Sequence, residues 1–211
     1  MEVNIKEIAR KIEQLIMDEL PGETSHSKMT PRIRRSLQSG TNSREAAVMI
    51  LFFQENRDIK LALIKRTEYE GVHSGQISFP GGMKEAEDPD LQSTSIRETV
   101  EETGIKEKEL RILGELSPIH IPVSNFRVCP YVAYMSSTPI FTPDPVEVDH
   151  IINIPLKHLL NYKNRKKEKW NLSGEEIMVP FYSYKNYKIW GATAMILSEF
   201  LDIIEEVEPY L

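Results

Sequence analysis

The sequence predicts an α/β (α+β) fold in which helices pack on both sides of one mixed sheet. Three observations lead there. The chain has 211 residues and is 40% hydrophobic, enough for a real core in one domain or at most two small ones. Its strand-like and helix-like segments alternate in mixed order. No repeat is visible, and no linker splits the chain.

The elements follow in order. Residues 4–20 carry Ile5, Ile8, Ile12, Leu15 and Ile16 at helical spacing, and Pro21-Gly22 stops that helix. Residues 22–44 are polar, with Pro31 and the basic stretch Arg32, Arg34 and Arg35. They read as an arm, so the expected organisation is 1–44 as helix and arm and 45–211 as the main domain. Strands are expected at Ala46–Phe53, Leu61–Lys65 and Gln76–Phe79, with Phe79-Pro80-Gly81-Gly82 as a turn. A helix from Pro89 to Thr103 ends at Gly104, with Asp88 as its N-cap and Pro89 in its first position. Further strands fall at Leu110–Leu116, Arg127–Tyr134 and Ile151–Ile154. Asn161–Lys169 reads as a charged loop, Ile177–Tyr182 and Tyr187–Trp190 as a hairpin around Lys185-Asn186, and Thr193–Ile204 as a closing helix.

Composition narrows function. Lys+Arg 26 against Asp+Glu 32 gives a net charge of −6. Such a chain has no electrostatic footprint for nucleic acid and gains nothing from an anionic membrane. An anionic substrate would need a local cation, and a bound metal supplies one. A single cysteine, Cys129, excludes a disulfide framework and fits a reducing, cytoplasmic setting. No apolar run is long enough for a membrane span, and the N-terminus has no apolar signal core.

The informative stretch is Arg97-Glu98-Thr99-Val100-Glu101-Glu102-Thr103-Gly104. With Glu98 at zero and about 100° per residue, Glu101 falls at about −60° and Glu102 at about +40°, so the three carboxylates share one face. That face is expected to be solvent-facing, with Ile96 and Val100 packing on the sheet from the other side. Two of the acids sit in the last helical turn, at the negative end of the macrodipole, and Glu98 and Glu102 are a like-charged i,i+4 pair. Clustered oxygens of this kind suit Mg²⁺ or Mn²⁺; a solvated acidic face is the other reading of the trio alone. The preceding glycines let backbone approach a ligand, bringing backbone carbonyls such as that of Gly82 near the carboxylates.

This constellation resembles the signature of the Nudix hydrolase family: Gly, five residues, Glu, seven residues, then Arg-Glu-U-x-Glu-Glu-x-Gly-U, where U is bulky and aliphatic. Arg97 to Ile105 matches the second half, with Thr99 in place of the first aliphatic. Strict counting puts Met83 and Pro89 at the Gly and Glu positions; Gly82 lies one residue early, and Glu85 or Glu87 are taken as the nearest acids. The coenzyme A pyrophosphatase branch of the family has such an extra residue. Leu63, Arg66, Gly75 and Phe79-Pro80-Gly81-Gly82 are similar to its upstream pattern, as are His73-Ser74-Gly75-Gln76 and Ile189-Trp190-Gly191-Ala192-Thr193-Ala194. Gly71 stands where that pattern has a second arginine, and Thr67 where it has Ser or Ala.

The resemblance implies an α/β/α sandwich and metal-dependent hydrolysis of a nucleoside diphosphate derivative, coenzyme A first, with ADP-ribose, a dinucleoside polyphosphate or a non-catalytic nucleotide-binding role as alternatives. It implies Gly82, Glu98, Glu101 and Glu102 as the ligand set for Mg²⁺ or Mn²⁺, with Glu101 also a candidate to orient Arg97. Glu98 or the loop acid Glu147 is the candidate base. Arg66, His73, Gln76 and Arg127 are candidates to contact substrate. The expected partner is a small nucleotide of the coenzyme A class, with no nucleic acid or membrane, in a monomer or homodimer. His120, His150 and His158 lack ligand spacing and read as structural, Cys129 and Trp190 read as core residues, and Lys163–Lys169 reads as solvated.

Overall fold

The computed structural model describes residues 4–31, 43–68, 75–122, 124–172, 174–207 and 209. Arg32, Arg34, Arg35, Gly71, His73 and Ser74 lie outside them. In chain order the elements are α1 (Ile5–Met17), α2 (Gly22–Ser27), β1 (Arg44–Glu55), β2 (Asp58–Arg66), β3 (Ile77–Ser78), β4 (Gly81–Met83) and α3 (Leu91–Thr103). There follow β5 (Arg111–Glu115), β6 (Ile119–Ile121), β7 (Phe126–Met135), β8 (Val148–Pro155), α4 (Leu156–Leu160), β9 (Arg165–Leu172), β10 (Glu175–Tyr184), β11 (Tyr187–Trp190) and α5 (Gly191–Glu205).

The main sheet is mixed: β7 runs parallel to β1, and the other pairings are antiparallel. β1 and β2 form a hairpin paired from Glu55↔Asp58 to Leu51↔Ala62, and then they diverge. The segment 77–83 fills the gap. Its β3 half pairs with β2 at Ile64 and Lys65, and its β4 half pairs with β1 at Ala46 to Val48. The two halves are joined across the split, where Met49 N donates to Pro80 O at 2.8 Å. So Phe79-Pro80-Gly81-Gly82, expected as a turn only, continues into a strand inside the sheet.

Alternation along β1 sorts the two cores. Ile50 and Phe52 join Leu61, Leu63 and Val132 on one face, where α1 and α5 pack. Ala47, Met49, Leu51 and Phe53 join Cys129, Tyr131 and Ala133 on the other, against Leu91 and Ile96 of α3. The result is the expected α/β/α sandwich. Cys129 is buried and free, as read from its apolar strand.

Three expectations need correction. The polar 22–44 stretch holds a helix, α2, because its polar residues have partners on α5: Ser25 hydrogen bonds Asp202, and His26 lies 2.9 Å from the buried Glu199. Asn161–Lys169 is not wholly loop, since β9 pairs with β10 from Arg165 onward. It is the edge of a three-stranded sheet, where lysines are tolerated and discourage further pairing. The carboxylate helix starts at Leu91, with Asp90 as N-cap accepting from Ser93 N at 2.7 Å, because Asp88 is engaged elsewhere.

Candidate active site

Helix α3 rests on the sheet through small polar residues. Thr94, Ser95, Thr99 and Thr103 are buried, and Thr99 and Thr103 donate their hydroxyls to the carbonyls one turn back at 2.6 Å. Thr99, which replaces an aliphatic in the family signature, therefore satisfies its own hydroxyl. Ile96 and Val100, expected to form the packing face, are only partly buried. The helix is rotated so that Glu102, not Val100, faces inward. Gly104 ends it at φ 70°, the left-handed conformation expected there.

Glu102 is 1% exposed, which corrects the expectation that it faces solvent. Its Oε2 accepts from Gly81 N at 2.7 Å. Its Oε1 lies 2.8 Å from Arg66 Nη2, an ion pair, but no donor is aligned on that oxygen. Arg66 Nη2 donates instead to Gly81 O at 2.8 Å. Burial pushes the Glu102 carboxyl up to about 7, against the pull of Arg66 and the Gly81 amide; Glu98 and Glu147 push it the same way as burial.

Glu98 has 14% of its side chain exposed and lies against Gly82. A Cβ on Gly82 would stand 2.5 Å from the Glu98 carboxylate, so the absent side chain is the space the carboxylate fills. Burial also raises the Glu98 carboxyl, against the neighbouring Arg97. Arg97 is the hub of the outer half of the site. Its guanidinium meets Glu98 at 3.0 Å, Glu101 at 3.1 Å and the Met83 carbonyl at 3.2 Å. Glu101 is 59% exposed and thus orients Arg97 from outside.

Asp88 anchors that hub, a role the sequence reading missed. Its carboxylate accepts from Arg97 Nε at 3.0 Å and Nη2 at 2.9 Å, from Thr94 Oγ1 at 2.9 Å and from Glu85 N at 2.9 Å. The Arg97 hydrogen bonds hold its carboxyl well below the usual range. Counting forward from Gly82, five residues then Asp88, would have found it; counting back from Arg97 led to Pro89.

Glu147 approaches from the loop before β8. Its carbonyl accepts from Thr67 N at 3.0 Å, one residue beyond Arg66, and its charge helps raise both Glu98 and Glu102. Gln76 follows Gly75 and borders Arg66, whose amide donates to the Gln76 carbonyl at 3.0 Å. Arg127 lies on the α3 side of β7 and meets Glu45 at 3.5 Å rather than the carboxylates. His73 is outside the described residues. The other histidines have structural partners: His150 with Tyr187 at 2.7 Å, His158 with the Ser183 carbonyl at 2.8 Å, and His120 with Asn125 at 3.4 Å. Trp190 is half-buried, edge-on to Trp170.

Among the described residues no three His, Cys, Asp or Glu side chains converge as a closed metal cage. The donor set nevertheless fits a hard cation that keeps several waters. Two desolvated carboxylates lie one turn apart, and Glu102 Oε1 is a buried acceptor without a hydrogen-bond donor.

A model of the NUDIX domain matches residues 43–173. The chain belongs to the Nudix family. Members of the family act on phosphoric anhydride bonds and generally use divalent ions such as Mg²⁺ or Mn²⁺. Among Nudix relatives, the chain is 33% identical to Nudix hydrolase 22, chloroplastic, of Arabidopsis thaliana over 79% of its own length and 57% of that protein's. Against the same plant's Nudix hydrolase 15, mitochondrial, the figures are 32%, 79% and 60%. The chain thus spans less than two thirds of either plant protein. It is 30% identical to an uncharacterized Nudix hydrolase, NudL, of Photorhabdus laumondii over 75% of this chain and 83% of that one. The Nudix fold is also that of RenU from M. smegmatis, with a TM-score of 0.52 at 10% identity over 80% of this chain and 88% of RenU. No helix among the described residues is long and apolar enough to cross a membrane.

Proposed function

We propose that this protein is a metal-dependent pyrophosphohydrolase that cleaves the diphosphate bridge of coenzyme A or its derivatives, giving 3′,5′-ADP and 4′-phosphopantetheine or its acyl form. The observation that carries the reading is the pairing of Glu98 and Glu102 against Gly82 and Gly81, two glycines of the Phe79-Pro80-Gly81-Gly82 segment that resembles the coenzyme A branch. Buried carboxylates held beside like charges are costly to a protein with no use for them.

Glu98 and Glu102, with the backbone at Gly82, would hold the Mg²⁺ or Mn²⁺. When bound, that ion neutralises the diphosphate and polarises the phosphoryl oxygen under attack. Glu147 is exposed, its charge acts on both Glu98 and Glu102, and it is the first candidate to accept the proton of the attacking water. Glu98 is the second candidate for that proton. Water adds across one P–O bond of the bridge, and the departing phosphate takes the oxygen. Asp88, Arg97 and Glu101 keep Glu98 in place. Gln76, on the chain just before β3, and Arg127, on the α3 side of β7, are the candidates to contact the rest of the nucleotide.

Gly71 favours a second reading, hydrolysis of ADP-ribose or another nucleoside diphosphate derivative, because the coenzyme A branch carries an arginine there. A panel of coenzyme A, acetyl-coenzyme A, ADP-ribose and dinucleoside polyphosphates with Mg²⁺ and Mn²⁺, products identified by mass, separates the two. Coenzyme A cleaved to 3′,5′-ADP, and not by a Glu98→Gln control, is the expected result. Efficient cleavage of ADP-ribose with coenzyme A left intact would overturn the branch, and no metal-dependent turnover of any of them would overturn the hydrolase reading.

A further inference from the structure

We infer that Arg66 is a positioning residue for the metal-binding carboxylate Glu102 and not a ligand of the substrate phosphates. The inference rests on the hydrolase reading for its kinetic arm but not for its binding arm.

Three contacts close a ring. Arg66 Nη2 donates to Gly81 O at 2.8 Å, Gly81 N donates to Glu102 Oε2 at 2.7 Å, and Glu102 Oε1 stands 2.8 Å from Arg66 Nη2. The ring ties β2, β4 and α3 together at the point where β1 and β2 have diverged. Only 20% of the arginine side chain is exposed. Its charge is therefore spent inward, on a carboxylate that is otherwise stranded in a low-dielectric site. Removing one member of a buried ion pair leaves the other uncompensated.

The ring also decides which oxygen is offered. Oε2 is committed to the Gly81 amide, which leaves Oε1 as the acceptor without an aligned donor. Nη2 alone makes both contacts, so a lysine could supply the charge, but its compact ammonium would have to reach that one point from a shorter and more flexible stem. Gly81 cannot shift to compensate, because it sits at φ 150° with a hypothetical Cβ 2.3 Å from the Ala47 carbonyl. Arg66 is thus the adjustable member of the ring, and Glu102 takes its aim from it. Partners of this kind, one shell out from a metal, typically cost about 10–100-fold in affinity or activity when removed.

The test is Mn²⁺ binding to the metal-free protein, followed by electron paramagnetic resonance of the free ion, alongside steady-state kinetics at saturating Mn²⁺. Arg66→Ala is expected to weaken Mn²⁺ binding about tenfold or more. It should lower kcat while KM for the nucleotide stays within about threefold, the pattern of a lost transition-state interaction. Arg66→Lys should recover only part of the Mn²⁺ affinity, and it serves in place of the alanine variant if that one does not fold. In a Glu102→Gln background, Arg66→Ala should change Mn²⁺ affinity by less than about twofold, because coupled residues are not additive. A nucleotide KM raised about tenfold with Mn²⁺ affinity unchanged would make Arg66 a substrate ligand and overturn the inference. So would an equal loss of Mn²⁺ affinity with and without Glu102. A protein inactive on every pyrophosphate would sink the hydrolase reading and leave the Mn²⁺ measurements to decide the role of Arg66.

Discussion

Replacing Gly82 by alanine isolates the catalytic geometry from the fold. The Gly82 backbone is not in the left-handed region, so alanine meets no torsional strain there. What it meets is the Glu98 carboxylate, with Cδ and Oε1 2.5 Å and Oε2 2.6 Å from the new Cβ. Ordinary contact begins near 3.4 Å, so the carboxylate must retreat by about 0.9 Å. It is the far end of a flexible side chain, so it can retreat with little effect on the backbone. A misplacement of about 1 Å at a reacting centre can cost about 10²-fold in rate. Gly82→Ala should therefore melt within a few degrees of the parent while losing about 10²-fold in kcat/KM. Gly81→Ala is the contrast: its Cβ would strike the Ala47 backbone carbonyl at 2.3 Å, from a φ of 150°, so it should lose the fold itself. The assay is a thermal melt beside coenzyme A turnover with Mg²⁺. If Gly82→Ala keeps more than about a third of parental activity, Glu98 is not held where the proposed mechanism needs it.

Three other outcomes follow from the charges. Asp88→Ala removes the acceptor of two Arg97 donors, but Arg97 keeps Glu98 and Glu101, so it should destabilise the protein by about 2 kcal/mol in urea unfolding, with activity falling as Glu98 loses its brace. Glu147→Gln should cut kcat by about 10²–10⁴-fold if Glu147 is the base; a loss of less than about threefold would pass that role to Glu98. The Glu102 carboxyl is raised to about 7 in the metal-free protein, above its unfolded value of 4.5. The native state then holds a proton that the unfolded chain has released, so this group costs increasing stability from about pH 4.5 up to about pH 7. Metal-free Glu102→Gln should gain melting temperature relative to the parent on going from pH 5 to pH 8, and a difference that stays constant with pH would refute the burial account.

How legible the site was depended on how local its causes are. Glu98, Glu101 and Glu102 share a helix because spacing fixes angles, and Gly104 ends that helix because a left-handed cap favours glycine. Spacing does not say which angle points at the sheet. The apolar residues Ile96 and Val100 suggested one side, but Thr94, Ser95, Thr99 and Thr103 can bury equally well once their hydroxyls are satisfied, and that turned Glu102 inward. Asp88 was read by its local role, as a cap before Pro89, whereas its partner Arg97 lies more than two turns along. Helix α2 was hidden for the same reason, since the residues that make its polar face buriable, Glu199 and Asp202, lie near the other end of the chain. Strand β9 carries lysines that argue against a strand interior but not against a sheet edge.

The site is assembled by close approaches at positions without side chains. The divergence of β1 from β2 opens a gap that segment 77–83 fills, which brings Gly81 and Gly82 under α3. At Gly82 the missing Cβ admits the Glu98 carboxylate, and at Gly81 the bare backbone passes against Ala47 while its amide takes Glu102. Just past Glu102, at the C-terminal end of the same helix, a Cβ on Gly104 would lie 2.3 Å from the Thr142 carbonyl, and Thr142 N donates to Thr103 O at 2.8 Å. The chain leaving β7 can therefore cross close over the end of α3 before Glu147 reaches Thr67. Glycines at 81, 82 and 104 thus set the separations among three acids drawn from two distant segments. Side chains at these positions would hold the same acids apart, and so the glycines belong to the proposed site as much as the carboxylates do.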